Sequence, residues 1–312
     1  EKKLYLCVAV GEGEVEDISN IEVNGTPIEE IKGVTYTVYR GTADQGADPR
    51  VTSNERFPHT AYIAFTFTAN DQVSSTPNIT CVVKGRKVRV WENNRWVTKW
   101  SNNPAWCVLD FLTNSRYGLG KDDGVIDLTS FIAEAAYCDE LVEDEHRFEL
   151  DFVVDSEQSS LDILSTMLAS FRANLLYSDG QLRLKIERSE LPVQAFNMDN
   201  IVQGSFQYQK NSLQQIPNQV IGQFADRDKD WEMNSVIYDN DIDQAERGVL
   251  RQVLIMYGIT RASQAGRMIR YFHDLSKLCD TLCEFSAGID AIHCEAGDVI
   301  TVSHDVPGWE GK

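Results

Sequence analysis

The sequence predicts a β-rich α+β protein with more than one domain, and three observations carry that prediction. The first hundred residues alternate short apolar runs with polar turns, the pattern of paired strands. At Asn103 the character changes to helices with clear start signals. Near residue 213 strands resume around one long amphipathic helix. With 312 residues, two or three domains can each bury a core.

Tyr5 to Val10 is an apolar run closed by Gly11, and Ile21-Glu22-Val23 leads into the hairpin turn Asn24-Gly25. Val34 to Arg40 alternates β-branched and aromatic residues with polar ones. A loop rich in Gly, Asp, Pro and Ser follows, Gly41 to Asn54, and His59 to Thr68 then reads as a strand. Cys81 to Trp91 and Arg95 to Trp100 form a pair about the turn Asn93-Asn94. Short strands of this kind predict a small barrel or sandwich.

The run Ser101 to Gly120 is the best-defined local element. Asn103 is suited to cap a helix, and Pro104 to its first position, where a missing N–H costs nothing. Trp106, Leu109 and Leu112 share one face, and Asn114 to Gly120 supplies the stop and turn. Asp127 caps a second helix with the stripe Leu128, Phe131, Ile132 and Ala135. A strand is expected at Phe148 to Val154. Ser159 or Ser160 caps a third helix with Leu161, Leu164, Leu168 and Phe171 on one face. Leu175 to Tyr177 and Leu182 to Ile186 then flank the turn Ser178-Asp179-Gly180.

Beyond Ile216-Pro217-Asn218, strands are expected at Gln219 to Ala225, at Ser235 to Tyr238 and within Arg247 to Gly258. Thr260 caps a long helix carrying Ala265, Met268, Ile269, Phe272 and Leu275, with Arg261, Arg267 and Arg270 around its polar arc. Leu282 to Phe285 and Asp298 to Val302 return to β. The chain begins without Met and stops soon after a strand, so residues are expected on both sides.

Charge narrows the function. The net charge is −19, from 48 acidic and 29 basic residues, with acids concentrated at Glu12 to Glu30 and Asp139 to Glu157. A protein that grips duplex DNA concentrates cations to release phosphate counterions, and this chain does the opposite. The acids read as a self-repelling solvated surface, or as a surface that nucleic acid passes without sticking. No apolar run approaches the ~20 residues that span a bilayer. Seven scattered cysteines, without a Cys-x-x-Cys pair, fit reduced and mostly buried thiols in a protein folded in the cytoplasm.

Four chemistries can be weighed. Lys84, Arg86, Lys87, Arg89, Arg95 and Lys99 interleave with Trp91, Trp96 and Trp100, as in single-strand binders, yet Val88-Arg89-Val90 is also ordinary half-exposed strand. Cys279 and Cys283, with His273, His293 and Cys294, suggest zinc only loosely, because adjacent His293 and Cys294 point to opposite faces of a strand. Carboxylate pairs for glycoside hydrolysis occur by chance among 48 acids. Gly11-Glu12-Gly13 lacks the third glycine of a dinucleotide loop, and acids there repel a pyrophosphate. No cofactor, metal or catalytic residue is expected.

Asn102-Asn103-Pro104-Ala105-Trp106-Cys107, with Leu109-Asp110, Leu112-Thr113 and Arg116-Tyr117-Gly118-Leu119-Gly120-Lys121, resembles the signature of the lambda-type phage tail tip attachment protein (protein J) family. Val8 to Gly13 with Asn24-Gly25, Lys84 to Val88, Leu161 to Ile186, and Ile259 to Ala265 through Gly297 to Ile300 and Gly308-Trp309 resemble further family stretches in the same order. The family's fibronectin-like modules and receptor-binding end have no counterpart here. The resemblance implies a tail hub: two tube-like β-barrel domains with an α+β domain between them, a homotrimer forming a pseudo-sixfold ring.

It also implies tail tube and tail tip partners, a place at the virion tail tip after assembly in the host cytoplasm, and genomic DNA passing through the lumen without specific binding. Host contact falls to regions absent here. The domains it implies are 1–103 (barrel-like), 104–212 (α+β) and 213–312 (barrel-like, with a long helix, cut short at its end). Asn103, Pro104, Trp106, Asp110, Arg116, Tyr117, Gly118 and Gly120 carry the family motif in a structural role. The reading from another class is a carbohydrate- or receptor-binding module, with Trp91, Trp96 and Trp100 beside glycosidase-like carboxylates in a cleft.

Overall fold

The computed structural model describes residues 2–51, 54–71 and 75–312, so residues 52 and 53 of the expected Gly41 to Asn54 loop lie outside the described residues. The chain divides into two compact units, Glu1–Ser101 and Asn102–Lys312.

The first unit is all β. Strands β1 (Lys3–Glu12), β2 (Val15–Val23), β3 (Thr26–Pro27), β4 (Val34–Arg40), β5 (Thr60–Thr68), β6 (Ile79–Glu92) and β7 (Arg95–Trp100) form two sheets, ordered β1-β5-β4 and β3-β2-β6-β7. Between them lies one core. Ala61, Ile63, Phe65 and Phe67 of β5 meet Val15, Ile18, Ile21 and Val23 of β2, with Ile28 at the end. Each of the two Phe side chains contributes about 1.5–3 kcal/mol by leaving water.

Both hairpin turns form as the sequence predicts, with Asn24, Gly25, Asn93 and Asn94 all at positive φ. The sheets face each other as a sandwich and do not close: β1 and β4 remain edges of one sheet, β3 and β7 of the other. The long loop after β4 is pinned from inside. Gln45 accepts from the Gly41 N–H at 3.0 Å and donates to the Arg56 and Thr60 carbonyls, while buried Asp48 holds Arg50 at 2.6 Å.

The second unit begins with helices α1 (Pro104–Thr113) and α2 (Leu128–Asp139) and the small hairpin β8 (Leu141–Val142) and β9 (Glu145–His146). Helix α3 (Ser160–Ala169) and the hairpin β10 (Ala173–Ser178) and β11 (Gln181–Ile186) follow. Residues 148–154 form no strand. Their N–H groups bond to different partners in turn, Cys138, Asn102 and Gly258, so no ladder develops. Ser159 is the cap of α3, yet its buried face is Ile163, Leu164 and Met167, and Leu161 is 69% exposed. Leu161 falls in the first turn, ahead of the point where the helix meets its neighbours.

Next come β12 (Gln194–Phe196), β13 (Gln207–Lys210), β14 (Gln219–Asp226), β15 (Glu232–Asp239), α4 (Asp241–Arg247), β16 (Arg251–Ile255), α5 (Ala262–Leu278), β17 (Thr281–Glu284) and β18 (Ile300–Val302). β12 pairs with β18 and β13 with β17 around Phe196, Ile201 and Val302. Between those segments is the sheet β15-β14-β16, and α5 covers one of its faces through Phe224, Ile259 and Ala265. Gly222 makes that packing possible, because a Cβ there would lie 2.7 Å from Ile269.

The α5 N-terminus differs from expectation. Arg261 occupies the cap position without a side-chain cap bond, and the Thr260 hydroxyl instead donates to Asp151 at 2.6 Å. Arg261 is buried rather than on the polar arc. Among the described residues, no helix is long and apolar enough to cross a membrane.

Candidate functional site

The motif residues between 103 and 120 gather around α1. Asn103 Oδ1 accepts the Ala105 N–H at 3.0 Å while its Nδ2 donates to the Ala135 carbonyl of α2 at 2.9 Å. An amide does both from two separate atoms, whereas an ionised Asp, an equally good cap, only accepts. Pro104 and Trp106 are buried. Asp110 accepts the hydroxyl hydrogen of Tyr117, and the Arg116 N–H donates to Asn114 Oδ1 at 2.9 Å while the Arg116 side chain stays exposed.

Helix ends leave carbonyls without partners, and this segment folds back to satisfy them. The N–H groups of Asn114, Leu119 and Lys121 reach the carbonyls of Asp110, Phe111 and Leu112 at 2.8 to 2.9 Å. Gly118 crosses so close to the helix that a Cβ would sit 1.9 Å from the Phe111 oxygen, and Gly120 has φ +60°. The motif is a helix clasp. Burial pushes its Cys107 thiol up to about 12, which keeps the thiol protonated at neutral pH.

The basic-aromatic stretch forms the β6–β7 hairpin, which places Lys87, Arg89, Trp91, Trp96 and Trp100 on one face. The rings are already in use. Trp91 and Trp96 meet edge to face at 5.1 Å, Arg89 stacks on Trp96 at 4.9 Å, and Lys84 lies 5.6 Å from the Trp100 centre. Glu14 pairs with Lys87 on this face at 2.6 Å, and Glu92 with Lys99 on the opposite one at 3.0 Å. On the face that carries the tryptophans, Lys87 is neutralised by Glu14, and the rings pack against one another and against Arg89 and Lys84.

A second polar centre holds the 145–151 segment against α5. The Arg261 side chain, 3% exposed, lies 3.1 Å from Glu145 and 3.3 Å from Glu149, although its Nε is not aligned for a hydrogen bond to the latter. Arg227 meets Glu149 at 2.9 Å. The Ser263 hydroxyl and Arg261 hold Glu145 below the usual carboxylate range, against partial burial. Gln264 accepts the Glu149 N–H at 3.0 Å and donates to the Glu149 carbonyl at 3.1 Å, as a neighbouring strand would.

Sequence reasoning assigned no role to Gln264, to Gln45 or to fully buried Asn218, which bonds Asp243, Gly248 and Leu250. An isolated Asn or Gln carries no periodic signal that it will be buried.

The proposed zinc ligands do not converge. Exposed Cys279 follows α5, Cys283 lies in β17, and Cys294 packs against the Phe196 cluster. Buried His273 meets Tyr238. Among the described residues, no three His, Cys, Asp or Glu side chains gather as a metal site. The cysteines are free, but Cys138 alone is fully buried, so the expectation of mostly buried thiols is corrected. A cavity of about 360 Å³ lies beside α5, lined by Leu254, Met256, Met268 and Phe272 and, at its polar end, by Arg172 and Glu187.

Residues 159–312 match the family Phage-tail_3, described as "Putative phage tail protein". The chain is 26% identical over 269 residues to tip attachment protein J of Escherichia phage SECphi27, covering 80% of this chain and 22% of that protein. It is 24% identical over 286 residues to baseplate hub protein pb3 of Escherichia phage T5, covering 81% of this chain and 29% of that one. It therefore spans less than a third of these relatives' length. A chain of the native gene transfer agent virion shares the fold, with a TM-score of 0.70 at 16% identity over 98% of this chain and 73% of that one. This chain is accordingly similar to phage tail tip attachment and baseplate hub proteins.

Proposed function

We propose that this chain is the non-catalytic central hub portion of a phage or prophage tail tip. Three copies form a ring that closes the distal end of the tail tube, joined to tail tube and other tail tip proteins. The genome passes through the lumen without specific binding, and host contact falls to parts of the longer relatives outside the matched span. Assembly takes place in the host cytoplasm, and the finished hub belongs to the virion tail tip. The observation that carries this reading is the similarity to a tip attachment protein and a baseplate hub protein across four-fifths of the chain.

The division into 1–103, 104–212 and 213–312 is kept as part of the proposal, with β12 and β13 lending strands to the last part. Closed barrels are proposed only for the assembly. Open sheet edges in an isolated subunit are what a ring later pairs or covers. The asparagine-capped clasp from Asn103 to Gly120 is proposed as scaffold, holding the start of the α+β part rigid.

Light scattering and electron microscopy of the chain at high concentration, alone and with its tube protein, test the proposal. Trimers and ring-shaped particles are expected. Monomers alone under every condition overturn it.

A further inference from the structure

Charged groups taken out of water are usually paired, and Arg172 is not. It is half-buried between α3 and β10, with its guanidinium carbon 4.1 Å from the centre of the Tyr271 ring and 5.2 Å from that of Phe148. The rings hold the cation without neutralising it. Among the described residues it enters no ion pair, and its buried Nε has no hydrogen-bond partner. In a chain with 48 acids against 29 bases, a half-buried cation left without an acid is a departure. Glu187, close by, accepts the Tyr271 hydroxyl instead, and burial together with that bond pushes Tyr271 above the usual range of a phenol. Arg172 also stands at φ +59°, a left-handed backbone that a long side chain keeps only where its surroundings hold it.

This arginine closes the polar end of the cavity beside α5. The rest of the lining is apolar: Leu254 and Met256 of β16, Met268, Phe272 and Leu275 of α5, and Ala169 at the exposed end of α3. Methionines at such a surface adapt to chains of varied shape. The volume, about 360 Å³, exceeds the roughly 150 Å³ of an apolar cavity that takes benzene, and by that ratio it holds about a dozen carbon atoms. Water satisfies the guanidinium but not the walls, and a pure hydrocarbon does the reverse. An anionic head on an aliphatic tail satisfies both at once.

We propose that this cavity binds a single aliphatic chain with an anionic head, the head meeting Arg172 and the tail lying among β16, α5 and the end of α3. The site does not depend on ring formation, so it and the hub reading stand or fall separately.

Calorimetric titration of the whole 312-residue chain with octanoate, decanoate and dodecanoate, below the concentrations at which they form micelles, tests the site. One molecule per chain is expected, with affinity rising about fourfold per CH₂. Dodecanol, the same tail without the charge, is expected to bind at least about tenfold more weakly. Arg172→Asn, which removes the charge and tolerates the left-handed backbone, is expected to erase the difference between acid and alcohol. Ala169→Trp, which fills the cavity from its exposed rim, is expected to abolish binding of both.

Co-sedimentation with phosphatidylglycerol vesicles separates the sources. Capture lost in both variants identifies a membrane lipid, and dodecanoate binding without vesicle capture identifies a free acid. No saturable binding overturns the site, as does equal affinity of the native chain for dodecanoate and dodecanol. Binding that survives Ala169→Trp overturns its location. If Arg172→Asn misfolds, the native chain's preference for the acid and the Ala169→Trp result decide.

Discussion

Gly118 stands where the chain returns across the end of α1, and there a side chain has no room. A Cβ 1.9 Å from the Phe111 oxygen forces the backbone aside, and with it the bonds that close the Phe111 and Leu112 carbonyls. Gly118→Ala is expected to cost about 2–3 kcal/mol, read as a lower midpoint in chemical denaturation. Gly11→Ala, with open space around its Cβ, is the control that stays near the native midpoint. The sequence alone placed Gly118 in a turn, without the distance that makes it indispensable. Asn103 was legible as a cap, but its second bond, to Ala135, joins residues 32 apart and leaves no local trace.

Among the elements, the β10–β11 hairpin is tied to the turn before β18 by charge. Arg183 pairs with Asp127 at 3.0 Å and with Glu295, and Lys185 with Asp298 at 3.0 Å. The Glu295 N–H, opposed by partial burial and helped by Lys185, holds Asp298 below the ordinary carboxylate range. A group lowered in the folded state stabilises above its unfolded pKa of about 3.9 and loses that contribution as pH falls through the folded value. Asp298→Asn is expected to cost about 1 kcal/mol at pH 7 and to flatten the acid limb of stability below about pH 4. Urea midpoints measured from pH 3 to 7 check this; an unchanged acid limb would remove Asp298 from the account.

Strands and hairpins in the first unit were readable because alternation and Asn-Gly or Asn-Asn turns are local. The 148–154 segment misled for the same reason. It alternates like a strand, but whether a strand finds a ladder depends on neighbours far along the chain.

For the whole molecule, net charge carries the next expectation. With −19, and with Lys87 and Lys99 of its basic hairpin paired to Glu14 and Glu92, the chain has little to offer a phosphate backbone. In gel mobility assays at low salt, duplex DNA is expected to migrate unshifted at about 10 µM protein, where ordinary non-specific binders with Kd near ~10⁻⁶ M already retard it. A shift at that concentration would contradict an indifferent lumen.

By itself, the sequence determined the β-rich first hundred residues, the capped helix at Asn103, the long helix after residue 260 and the kinship with tail tip proteins. All of these rest on short-range pattern or on ordered motifs. Only the tertiary structure decided that the first unit's sheets stay open, that Arg261 is buried among Glu145 and Glu149, and that the sheet beside α5 keeps two free edges. Burial and edge pairing are properties of which distant segments meet. A linear pattern specifies which faces must be covered, and the fold decides what covers them.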